Sequence, residues 1–140
     1  MKPVIAAVGV LFVLVLATGA RAQDVVDDFS DPSIWRVVAP EGMRLTTSVD
    51  EGVAGDGLRL DYRFETGGGF GLIGRDLPMD LPENYEFSFW VRADSPDNNF
   101  EFKLLDESGE SVWWVNRKAF EFPREWTRVV LPKRKFEFAW

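Results

Sequence analysis

The chain has no cysteine and no histidine. Their absence excludes disulfide frameworks, thiol nucleophiles, imidazole acid–base catalysis and the common Cys/His zinc sites. Positive charge is also scarce. Sixteen Lys and Arg against 23 Asp and Glu leave a formal charge of −7, which argues against nucleic acid or an anionic membrane surface as partner. Past Gln23, no window of eleven residues carries apolar positions at helical spacing. Aromatic residues are plentiful: six Trp, twelve Phe and two Tyr in 140 residues that are 46% hydrophobic. So much buriable area argues against disorder and points to one packed core.

The first 22 residues look like an export leader. Lys2 is a minimal positive n-region, Val4 to Leu16 is a continuous apolar run, and Ala20-Arg21-Ala22 places small residues where a signal peptidase cuts. Cleavage after Ala22 leaves residues 23–140, or 140 − 22 = 118 residues, and removes Lys2 and Arg21, so the charge becomes −7 − 2 = −9. That length suits one domain, secreted or periplasmic, with no membrane contact after cleavage. Stretched to Ala20, the apolar run reaches about eighteen residues, so an uncleaved anchor is the alternative.

From Gln23 onward the apolar positions alternate with period two, which predicts an all-β chain. Strands are expected at Val25–Phe29, Trp35–Val38, Arg44–Ser48, Leu58–Phe64, Phe70–Arg75, Tyr85–Ala93, Phe100–Asp106, Val112–Arg117, Trp126–Leu131 and Phe136–Ala139. Turn clusters such as Asp31-Pro32-Ser33, Gly67-Gly68-Gly69 and Glu107-Ser108-Gly109 separate them. Short strands punctuated at this rhythm predict a two-sheet antiparallel β-sandwich.

The pair flanking Gly109 fixes a register. With Phe102 opposite Val115 and Leu104 opposite Trp113, Phe100, Phe102, Leu104, Trp113 and Val115 form a dry face, and Trp113 is expected in the core. A slip by one residue would drive Glu101 and Lys103 inward at several kcal/mol each. The opposite face then carries Glu101, Lys103, Trp114 and Asn116. Glu86, Ser88, Trp90 and Arg92, which share one side of the preceding strand, are expected to extend it into a single surface.

Such a surface has the chemistry of a sugar site, because a sugar ring offers C–H groups on its face and hydroxyls around its edge. Trp114 and Trp90 would be the stacking plates. Glu101, Glu86 and Asn116, with Lys103, Arg92 and Arg75, would serve the hydroxyls. An indole stack is worth about 1 kcal/mol beyond its area and a hydrogen bond to a charged group about 1.5–3 kcal/mol, so an open face of this kind binds at roughly micromolar to millimolar strength. The competing reading is a solvated face with cross-strand ion pairs. Near the chain start, Asp27 and Asp28, with Asp31, could offer oxygens to a structural calcium, although their spacing is not that of an EF-hand and such clusters are commonly turns.

Several stretches carry a family resemblance: Asp27-Asp28-Phe29 followed by Trp35, then GLRLDYRF, GGGFGLIGRDLPMDLPENYEFSFWVRA, NNFEFKLLDESGESVWWVN and EFPREWTRVVLP. Together they resemble the galactose-binding-like jelly rolls of bacterial carbohydrate-binding modules over nearly all of Asp24 to Trp140. The resemblance implies a non-catalytic β-sandwich that recognises a poly- or oligosaccharide on its concave face, accompanies a glycoside-active enzyme, and commonly holds a calcium near its first strand. Modules of this type usually continue past a segment like FEFAW into a further strand. This raises the reading of a longer chain whose last strand, and any catalytic domain, lie beyond Trp140. The other functional readings are a protein-interaction or assembly domain of the same fold, and an enzyme using Glu86 and Glu101 as paired carboxylates.

Overall fold

The computed structural model of the protein describes residues 23–140, so the expected leader lies outside the described residues. Among the described residues nine strands follow one another: β1 (Arg36–Val38), β2 (Met43–Glu51), β3 (Asp56–Phe64), β4 (Leu72–Gly74), β5 (Glu86–Val91), β6 (Asn98–Leu105), β7 (Val112–Phe120), β8 (Thr127–Pro132) and β9 (Glu137–Phe138). Short 3-10 turns at Pro32–Ile34 and Lys133–Lys135 are the helical elements among the described residues. The fold is an all-β sandwich of antiparallel sheets.

Hydrogen bonding groups the strands as β1-β4, β2-β3, β5-β8 and β6-β7-β9. Nine of the ten expected strands are present with small shifts at their ends. The exception is Val25–Phe29, which is irregular because local side-chain bonds capture its backbone. Asp27 Oδ1 accepts from the Phe29 N–H at 2.6 Å and Asp28 Oδ1 from the Ser30 N–H at 3.0 Å. These Asx turns compete with a sheet ladder.

The core lies between the β5-β8 pair and the β6-β7-β9 sheet. Val115, Val129 and Leu131 are buried at its centre, with Phe87, Phe89, Val91, Phe102, Phe120 and Phe136 packed around them. Phe87 and Phe89 of β5 meet Phe102 of β6 at ring separations of 5.4 and 6.0 Å, within the range where aromatic pairs attract. Sequence alternation thus becomes a layered structure: the odd-numbered positions of β5 face the even-numbered positions of β6 across the interior. Because the two phenylalanine faces look at each other, the opposite sides of β5 and β6 look outward in opposite directions.

Trp113 departs from expectation. By register it sits on the inner side, opposite Leu104, yet it is 37% exposed. It is not packed on the Val115–Leu131 cluster. Its ring meets Phe138 of the short β9 edge on to an aromatic pair at 5.6 Å and 65°, and Phe138 is itself 64% exposed. The interior is centred further along β7, and the opposing layer does not seal this end.

Leu131 has no exposed surface, whereas its neighbour Val130 is 37% exposed. Leu131→Ala is expected to lower unfolding stability by about 2–5 kcal/mol, and Val130→Ala to stay within about 1 kcal/mol of the parent. Urea unfolding followed by tryptophan fluorescence measures both, and comparable losses would contradict this placement of the core.

Candidate functional site

The β6–β7 hairpin adopts the register read from the sequence: Glu101 opposite Asn116, Phe102 opposite Val115, Lys103 opposite Trp114 and Leu104 opposite Trp113. Its turn is closed by Gly109, which takes φ +74°, a conformation that glycine adopts without strain, while its N–H donates to the Asp106 carbonyl at 3.0 Å. Asp106 Oδ1 accepts from the Ser108 hydroxyl at 2.7 Å and from the Ser111 N–H at 3.3 Å. The Ser108 hydrogen bond, more than any other contact, holds the Asp106 carboxyl below the ordinary carboxylate range.

With Phe102 and Val115 committed inward, Glu101, Lys103, Trp114 and Asn116 share the outer face. They are joined there by contacts. Lys103 Nζ lies 2.9 Å from Glu101 Oε2. Asn116 Nδ2 donates to Glu101 Oε1 at 3.4 Å, and the Asn116 amide oxygen is buried without a hydrogen-bond partner among the described residues. Lys103 Nζ also lies 5.5 Å from the Trp114 ring centre and 5.3 Å from that of Trp140, so the ammonium contacts two indoles. The two rings meet edge to face at 5.9 Å and 81°.

Trp140 was not anticipated as part of this face. Strand alternation would set it with Phe138 on the inner side, but regular pairing of β9 with β7 covers Trp113 with Phe138 and Trp114 with Glu137 alone. Beyond it the Ala139 N–H donates to the Val112 carbonyl and the Val112 N–H to the Trp140 carbonyl. Once the ladder turns irregular, period two no longer dictates the side. Trp140 thereby adds a second indole, 55% exposed, beside Trp114.

The other expected contributors are elsewhere. Glu86, Ser88 and Trp90 lie on the outer side of β5, behind the Phe87–Phe89 face, and therefore on the opposite layer from Trp114. Trp90 is 50% exposed there, across from Arg128, and Arg128 donates to the Ser88 hydroxyl at 3.0 Å. Arg92 stacks over Trp126 at 4.9 Å. Arg75 pairs with the nearly buried Asp27 and lies over Trp35 at 5.9 Å. The single surface expected from β5, β6 and β7 is thus two surfaces, because alternation divides the sides of a strand without saying which layer the strand joins. For the same reason Glu86 and Glu101 do not share a cleft.

The residues near the chain start do not fit a calcium cage. One Asp27 oxygen is held by Arg75 and the other by the Phe29 N–H. Asp28 and Asp31 are held below the ordinary carboxylate range first by the hydroxyls of Ser30 and Ser33 and then by those residues' N–H groups. No group of three potential metal ligands converges among the described residues. Asp27 is spent on Arg75 and the Phe29 N–H, and Asp28 and Asp31 each spend one oxygen on serine donors, so the cluster falls short of the about six to eight oxygens that a calcium ion takes.

A family model described as carbohydrate binding domain (family 11) matches residues 15–136. The chain belongs to this family. No curated protein and no solved structure matches it. The match ends just before β9, so Glu137, Phe138, Ala139 and Trp140 follow the matched span.

The lowered Asp106 carboxyl makes the turn of this family 11 domain sensitive to acid. A carboxyl depressed in the folded state contributes stability above its unfolded value of about 3.9, and that contribution is lost as pH falls through the folded value. Between pH 7 and about pH 3, the thermal midpoint of the wild type is expected to fall more than that of Asp106→Asn, which keeps a side-chain acceptor but cannot titrate. Parallel melting curves would remove Asp106 as a source of acid sensitivity.

Proposed function

We propose that this domain is a non-catalytic binder of a poly- or oligosaccharide and that it works in the periplasm or outside the cell. The observation that carries this reading is the meeting of Trp114 and Trp140 with the Lys103–Glu101–Asn116 network on one outer face. Family membership supports the ligand class, and the leader supports export. The indoles supply apolar faces for sugar C–H groups, while the network supplies donors and acceptors at fixed positions.

A buried acceptor without a donor costs about 1–3 kcal/mol, so a hydroxyl reaching the Asn116 amide oxygen would recover part of that cost. Lys103 is held by a carboxylate and two rings, so little side-chain entropy remains to be lost on binding. Its Glu101 partner keeps the network neutral, which suits hydroxyl groups better than a bare charge would. In a longer chain such a domain would keep an attached glycoside-active enzyme close to its polymer.

Affinity electrophoresis in gels containing polysaccharides tests the face. Trp114→Ala is expected to weaken retention about ten-fold or more, since losing the stack and its buried area removes over 1 kcal/mol. Trp90→Ala, on the other layer, is expected to leave retention unchanged. Equal effects of the two substitutions would remove the β6-β7-β9 face as the site.

A further inference from the structure

β6 is an edge strand: it is hydrogen-bonded to β7 on one side and to no strand on the other among the described residues. Which of its backbone groups face the open side follows from the far side of β7. The Val112 N–H donates to the Trp140 carbonyl and the Val112 carbonyl accepts from the Ala139 N–H, so Val112 turns its backbone away from β6. Opposed residues of an antiparallel ladder alternate between bonded and unbonded pairs. Leu105, opposite Val112, is therefore unbonded to β7, and so by alternation are Lys103 and Glu101. The Asp106 N–H, one residue further along, donates to the Ser111 carbonyl at 3.1 Å, as this alternation requires. Glu101, Lys103 and Leu105 thus direct their N–H and C=O groups toward the open side, where a further strand can pair with them.

The features that usually blunt such an edge are missing from this one. β6 has eight residues and no proline, and its inner side carries Phe100, Phe102 and Leu104 rather than a charge. The irregularity of the ladder belongs to β7, since the step from Asn98 to Phe100 is met by the longer step from Phe120 to Arg117.

The charges on the outer side make β6 complementary to itself. Antiparallel pairing of two β6 strands about Phe102 sets Glu101 opposite the partner's Lys103 and Lys103 opposite the partner's Glu101, with Phe100 opposite the partner's Leu104 on the inner side. The nearest registers that keep the apolar sides together set Glu101 on the partner's Glu101, or Lys103 on the partner's Lys103, and like charges directly opposite are destabilising. The favoured register also joins the residues whose backbone groups face the open side. Other strands offer less. Arg59 and Asp61 of β3 alternate in the same way, but Arg59 is already shared between Asp50 and Asp61, and the β2–β3 pair lies outside the buried cluster that would hold its edge in place. β5 belongs to the core but carries no pair of opposite charges from Glu86 to Val91.

We propose that β6 pairs antiparallel with β6 of a second copy of this chain, in the register centred on Phe102. The dimer joins two three-stranded sheets into one and places the two copies of Trp114 on the same outer face, three strand spacings or about 14 Å apart. This pairing is independent of the carbohydrate reading, and no sugar enters its test.

Sedimentation equilibrium of the full chain is expected to show the mass rising from one chain toward two between about 1 and 500 µM, because one strand pair falls short of the about 1,200–2,000 Å2 that stable interfaces bury. Amide hydrogen exchange is expected to slow several-fold at Glu101, Lys103 and Leu105 as the dimer forms, while Phe102 and Leu104, bonded to β7 in either state, change little. Lys103→Glu and Glu101→Lys each set like charges across the axis and are expected to weaken association about ten-fold. Mixed in equal amounts, the two variants are expected to associate as the wild type does, since each then meets its opposite; the loss of the Lys103–Glu101 pair within a chain would not be repaired by mixing. Thermal melting confirms that both variants fold. A mass that stays at one chain up to about 500 µM overturns the proposal. So does association that both single variants retain, association that the mixture fails to restore, or association without slowed exchange at the three amides.

Discussion

The contact between the phenylalanines of β5 and those of β6, sealed by Val115, Val129 and Leu131, decides everything on the outer surface. It fixes which side of the β6–β7 hairpin is dry. Once Phe102 and Val115 are committed inward, the pleat leaves Glu101, Lys103, Trp114 and Asn116 no alternative to the outside. A one-residue slip would exchange two aromatic or aliphatic side chains for charged ones in the interior. The composition of the outer face is thus set by the free energy of the core behind it.

The outer network carries its own compensation. Glu101 balances Lys103 and receives the Asn116 amide, and the two indoles flank the ammonium. Each contact alone is small, since exposed ion pairs contribute at most about 1 kcal/mol and exposed cation–π contacts a comparable amount. Their joint effect is positional: the polar groups between the two rings have few places to go.

Much of this was legible in the sequence because the hairpin is local. Two short strands joined by Glu107-Ser108-Gly109, with apolar residues on one alternation, admit a single low-cost register, and the residue-by-residue pairing follows from it. The assembly of distant strands was not legible in the same way. Period two separates Trp90 from Phe89 but is silent on whether β5 lies beside β6 or across from it, so Trp90 and Glu86 were joined to a face from which the core divides them. Arg75 was drawn toward the sugar site because its nearly buried partner, Asp27, lies 48 residues earlier in the chain. Trp113 had the right side but the wrong depth, since strand patterning carries no information on where an opposing layer stops. Trp140 escaped notice because it follows the last regular pair of β9.

The brevity of β9 has a mechanical consequence. Trp114 is the third residue of a nine-residue strand and is paired there on both edges, with Lys103 and with Glu137, whereas Trp140 hangs from a two-residue strand and a pair of irregular hydrogen bonds. One ring therefore behaves as a fixed jaw and the other as an adjustable one. In the proposed binding mode, a clamp built this way would follow successive units of a polymer whose rings tilt from one linkage to the next, without demanding that the chain be straight.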